Sequence, residues 1–208
     1  MVASVKTLGI FCIISLLLTG CSRQSINYYQ PEYAMADRFT SSCNGKGPND
    51  HIRIPLHQHA YVEVTAYFSQ VTEGNFIANI SYFVPEEHTL KFVDRTVLLL
   101  GANNLNKRFE VNQVFRFMGT KQVERQSIEG LLPGRTIPIK YFQEIRDVDL
   151  GYRINISKQF ATNSSEFTLQ IPVVEVNGQV VETDPIPFRL AEMKKTLPAN
   201  CQLPQYQN

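Results

Sequence analysis

His57 and His59 are the residues whose type and spacing point most directly to chemistry. On a strand, residues two apart share a face, so both imidazoles could reach one ion. A zinc site usually takes at least three protein ligands with a supporting shell. Only two are placed by local geometry, with His51 and His88 the remaining imidazoles. A solvated His-x-His pair entering a strand is therefore the competing reading, and no metal or cofactor is assigned. Nucleophile patterns are missing: the chain has no Gly-x-Ser-x-Gly elbow, no Ser-x-x-Lys and no Gly-rich phosphate loop before a helix. Glu86-Glu87-His88 resembles an acid–base cluster but follows Pro85 at a turn, where charge is normally solvated. None of the four cysteines forms a Cys-x-x-Cys pair. No residue is nominated as catalytic, and a non-enzyme is expected.

The amino-terminal residues carry a different message. Lys6, an apolar run from Leu8 to Leu18, and Leu18-Thr19-Gly20-Cys21 resemble the export signal and lipobox of bacterial lipoproteins, a likeness confined to roughly the first 22 residues. The run is too short for a comfortable bilayer span, which needs about 20 apolar residues. The resemblance implies a signal peptide over 1–20 and a lipidated Cys21 that holds the chain to a membrane. Ser22 stands where an aspartate would signal inner-membrane retention, so the implied address is the outer membrane, on its periplasmic face. Cys12 is then lost with the signal and Cys21 carries lipid. Cys43 and Cys201 remain, and two thiols in an oxidising compartment read as one disulfide. In layout the chain is also similar to the outer-membrane lipoprotein of type VI secretion machines, although it lacks that family's basic-tyrosine strand motif.

Charge mostly excludes. A formal net charge of +1, without a basic block, argues against nucleic-acid binding and against electrostatic attachment to anionic lipid. Residues 22–42 are polar, contain Pro31 and show no period, so 21–42 reads as a lipidated tether, with Tyr28, Tyr29 and Tyr33 packing on the domain.

From residue 52 the hydrophobic period is two. Val62, Val64, Ala66 and Phe68 alternate with polar partners, and Gly74-Asn75 turns the chain into Phe76 to Val84. Thr96–Leu100 reads as a strand buried on both faces. Phe109, Val111, Phe115 and Phe117 read as one strand with Asn112 and Arg116 outward, and Ile137–Ile145 and Tyr152–Phe160 follow. A short helix fits Val123 to Leu131, within a long connection over 119–135. A bulge or sheet switch is expected at Pro172. Asn177-Gly178 between apolar runs signals a type I′ hairpin. Pro185 and Pro187 suggest an edge strand. The whole describes an all-β antiparallel β-sandwich over 43–208, Ig-like or transthyretin-like, with about seven to nine strands and at most one short helix.

The expected function is a membrane-anchored interaction module in the cell envelope, binding a partner protein for assembly or inhibition. The alternative is a periplasmic lipoprotein that binds metal or a small ligand through the His57/His59 strand, or a hydrolase.

Overall fold

The computed structural model describes residues 24–39, 50–69, 72–102, 105–118, 121–141 and 144–195. In chain order the strands are β1 (Gln24–Pro31), β2 (Asp37–Phe39), β3 (His51–Pro55), β4 (Tyr61–Phe68), β5 (Asn75–Phe83) and β6 (Thr89–Phe92). Then come β7 (Thr96–Gly101), β8 (Asn106–Glu110), β9 (Gln113–Met118), β10 (Lys121–Ser127), β11 (Leu132–Pro133) and β12 (Thr136–Tyr141). The last are β13 (Glu144–Asp149), β14 (Gly151–Gln159), β15 (Glu166–Gln170), β16 (Val174–Val176), β17 (Gln179–Val181) and β18 (Ile186–Lys195). The fold is an all-β antiparallel sandwich. It has more and shorter strands than expected, because several apolar runs are divided between sheets.

One layer is a seven-stranded sheet in the order β10-β9-β14-β5-β4-β3-β2. The facing layer combines a five-stranded sheet, β1-β18-β15-β7-β8, with a four-stranded one, β11-β6-β16-β17, while β12 and β13 form a separate hairpin. Aromatic rings lock the layers together. Phe76 meets Phe167 edge-on at 5.5 Å, and Phe68 lies 6.2 Å from Tyr29 and 5.6 Å from Phe167. Further along, Tyr82 of the seven-stranded sheet meets Phe92 of the four-stranded one at 5.2 Å. Such ring pairs add about 0.5–1.5 kcal/mol each beyond the area they bury.

Several expectations are corrected. The stretch read as a tether contributes β1, which pairs with β18 from Gln24↔Lys195 to Pro31↔Phe188, and β2, which pairs with β3. Its alternation is faint in the sequence because an outer strand needs only one buried ring. That ring is Tyr29, packed on Phe68 and Phe167, with burial pushing its hydroxyl up to about 12. The helix expected over 123–131 is a strand: β10 pairs with β9 through a register shift between Gln122 and Glu124, and no helix occurs among the described residues. Thr96–Leu100 is not buried on both faces, since Val97 and Leu99 enter the core while Leu100 is exposed.

The single strand expected through Phe109–Phe117 is two strands in different sheets, with Val111 buried at the crossing. β18 is not an edge, because β1 and β15 flank it. Its prolines are tolerated for a local reason. Pro185 precedes the strand, and at Pro187 the β1 ladder has already ended at Pro31↔Phe188. The switch at Pro172 occurs as read, passing the chain from the five-stranded sheet at β15 to the four-stranded one at β16.

The two ends of the sandwich differ. At one, the Gly74 turn meets Phe160, whose N–H donates to the Gly74 carbonyl at 2.8 Å, and β1 with the end of β18 extends past Glu166↔Arg189. At the other lie the β3–β4 loop, the β16–β17 turn and the β12–β13 hairpin, which leads into Gly151 and β14.

Candidate functional site

At that second end the β16–β17 turn is held firmly. Asn177 and Gly178 have φ of 49° and 82°, the conformation a two-residue type I′ turn requires. The side chain of Asn177 then does more than turn. Its Oδ1 accepts from the Thr89 N–H at 2.8 Å, its own N–H donates to the Thr89 carbonyl at 3.1 Å, and its Nδ2 donates to Gln58 Oε1. The hairpin is thereby pinned both to β6 and to the loop between β3 and β4.

Between that loop and β17 lies a cleft of about 410 Å³. Ile54, Pro55 and Leu56 line it from the β3 side, Val180 and Val181 from β17, and Tyr33 and Met35 from the passage after β1. The apolar part of the wall is partly bare: Met35 is 77% exposed and Val180 56%. The polar lining comes from Tyr33, His57, Gln179, Glu182 and Thr183. The Tyr33 hydroxyl accepts from the Asp184 N–H at 3.2 Å, and His57 stands at the rim. Thr183 is 9% exposed, and its Oγ1 has no hydrogen-bond partner among the described residues. A buried hydroxyl in that state costs roughly 1–3 kcal/mol unless something meets it.

The His57/His59 expectation fails on its geometric premise. Neither residue is on a strand; both lie in the β3–β4 loop, where Ala60 N–H donates to the His57 carbonyl at 3.1 Å. Gln58 and His59 have φ of 51° and 64°, so the period-two rule that put both imidazoles on one face does not apply. His57 borders the cleft while His59 is exposed. His51 instead faces Glu63 at 3.4 Å, and His88 Nδ1 contacts the Glu86 carbonyl at 3.1 Å within its own turn. No group of three or more His, Cys, Asp or Glu that could hold a metal occurs among the described residues. Cys21, Cys43 and Cys201 all lie outside the described residues.

Two further polar clusters sit on the seven-stranded sheet. On its outer face a cross-strand row runs Asp37, Arg53, Glu63, Ser81, Arg153, Phe115, Arg125 across every strand. Burial raises the Glu63 carboxyl, but hydrogen bonds and charge from His51 and Arg53, the latter at 2.6 Å, outweigh it and hold the group below its ordinary value. Arg153 donates to Ser81 Oγ at 3.0 Å and lies 3.7 Å over the Phe117 ring, while desolvation lowers its pKa against the pull of Glu63. On the inner side Arg116, 3% exposed, donates to the Pro133 carbonyl and the Tyr152 hydroxyl and sits 3.5 Å from Glu124. Apart from Arg116 Nε, which has no hydrogen-bond partner among the described residues, these groups are paired with one another, and they explain architecture more readily than catalysis.

Of the cleft residues, sequence reasoning singles out His57, together with the Asn177-Gly178 turn that lies beside the cleft without lining it. Tyr33 was noticed as a packing aromatic. Met35, Val180 and Thr183 carried no local signal, because the cleft is assembled from segments far apart in the chain. Compared with known proteins, the chain matches no family model, no curated protein and no solved structure. No helix among the described residues is long and apolar enough to cross a membrane.

Proposed function

We propose that this chain is a lipid-anchored, non-enzymatic interaction module of the cell envelope, held at the outer membrane through Cys21 with its domain on the periplasmic side. The observation that carries the binding role is the exposed apolar cleft bordered by Val180 and Met35 at one end of the sandwich. Exposed apolar side chains grouped at one cleft and rimmed by polar groups suit contact with a partner. Support for the anchoring comes from the lipobox-like Leu18-Thr19-Gly20-Cys21 and from where the fold begins. β1 enters at the end opposite the cleft, so lipid on Cys21 would leave the cleft facing away from the bilayer.

The test is a photoreactive residue at position 180 in the full chain, crosslinked in intact envelopes. A defined adduct that disappears in the Cys21→Ser chain is expected. Adducts no different from those of the same probe at exposed Val123, on β10, would sink the proposal.

A second reading is supported by the cleft's size, which lies within the usual range for small-molecule sites, about 300–1,000 Å³. In it the cleft takes a small amphipathic ligand beside His57 and Tyr33. Ligand or metal recovered with the purified chain, and lost in His57→Ala, would favour this alternative.

A further inference from the structure

We propose that β17 is a docking edge. An extended segment of a partner protein adds to the four-stranded sheet beside β17, placing an apolar side chain in the adjoining cleft and basic residues along its rim. The inference rests on the interaction-module reading and specifies its site and its ligand chemistry.

The backbone makes the first argument. Among the described residues β17 has a strand neighbour on one side only, β16, with Val176↔Gln179, Glu175↔Val180 and Val174↔Val181 opposed. A two-residue hairpin makes its closing pair, Val176 and Gln179, the one that exchanges both hydrogen bonds. The pattern alternates, so the N–H and C=O of Val180 point away from β16 to the open side. An extended chain can satisfy such groups by main-chain pairing.

The second argument is what guards the other edges. Outer strands are normally blunted by charge, proline or shortness. β2 carries Asp37 and Arg38, β8 carries Lys107 and Arg108, β10 carries Lys121 and Arg125, and β11 is only Leu132-Pro133. β17, Gln-Val-Val, is as short as β2 but carries neither charge nor proline. β1 is also uncharged, but only β17 runs beside the cleft.

Charge selects the occupant. Glu182 and Asp184, immediately after β17, are exposed and have no ion-pair partner among the described residues. They favour a segment bearing Lys or Arg. Main-chain bonds along three residues would hold a peptide weakly, so the apolar cleft must supply most of the affinity and the choice of side chain.

The test selects binders to the full chain from a displayed library of random eight-residue peptides. Peptides alternating apolar and basic residues are expected, shifting the Val180 amide resonance on binding. Val180→Pro removes the outward N–H without touching a bond to β16, and Glu182→Lys with Asp184→Lys reverses the rim. Each should weaken those peptides at least about tenfold, with the thermal midpoint of the double charge variant unchanged. A library that yields no binder, or binders that ignore both variants, overturns the docking edge. Envelope crosslinking distinguishes the two levels: a specific partner captured from a probe at Val123 but not at 180 would refute β17 and leave the interaction module standing.

Discussion

Arg116 shows how much one side chain can fix and how little of it alternation reveals. Read along β9, the arginine falls between Phe115 and Phe117 and looks like the solvent-facing member. In the fold Val114 and Arg116 point inward, while Phe117 is buried on the outer face beneath Arg153 and beside Phe83. Both faces are covered, so polarity no longer tells inside from outside. The guanidinium ties β9 to β14 through Tyr152 and to the Pro133 carbonyl, its ring-facing plane 4.6 Å from the Tyr152 centroid. Truncation removes a donor from the Tyr152 hydroxyl and the Pro133 carbonyl, which stay bonded to each other, so Arg116→Ala should cost about 1–3 kcal/mol in denaturant unfolding, and Tyr152→Phe about 1 kcal/mol.

Glu63 supports a prediction on pH. Its folded pKa lies below the unfolded value, so its stabilisation is fully present above the unfolded value, about 4.3, and is lost as pH falls through the folded one. Glu63→Gln should lower stability at neutral pH and lose less than the parent chain between about pH 5 and pH 3, measured as urea midpoints.

At the scale of elements, the turns were the most legible features. Asn177-Gly178 was visible because positive φ at two adjacent positions restricts residue choice sharply, and the pairing found is the one that signal implies. Pro172 likewise announced a break in the ladder, and it marks the passage between sheets. β1, β2 and β10 were not legible, since outer strands bury little and their period is diluted by polar residues. Asn177→Ala would force a left-handed backbone without its natural occupant and lose the bonds to Thr89 and Gln58. A loss of about 1–3 kcal/mol in unfolding free energy is expected.

Gly74 closes the opposite end. It has φ of +75°, and a Cβ there would lie 2.0 Å from the Phe160 carbonyl oxygen. Gly74→Ala should cost a further about 1–3 kcal/mol and lower the thermal midpoint. Of the cleft itself, the sequence points only to His57 and, as a packing aromatic, Tyr33. Its walls come from the passage after β1, the end of β3 and β17, and no local pattern links those segments.

At the scale of the molecule, the described strands bear on the proposed Cys43–Cys201 bond. β2 ends at Phe39, paired with His51 away from the β3–β4 loop, and β18 ends at Lys195 beyond Glu166↔Arg189. The chain thus leaves for both cysteines at the same end of the sandwich. Intact-mass measurement of the exported chain should show the loss of two hydrogens. Cys43→Ser with Cys201→Ser should then reduce stability by up to about 5 kcal/mol, the loop-entropy figure for so long a closure.

The start of β1 at Gln24 also sets a leash. Three residues of extended chain reach only about 10 Å. If Cys21 carries lipid as proposed, the body would be confined to a narrow shell above the headgroups and could not stretch across the envelope to fetch a distant partner. Whatever docks must itself come to that shell, and within it even weak binding gains from the small volume searched.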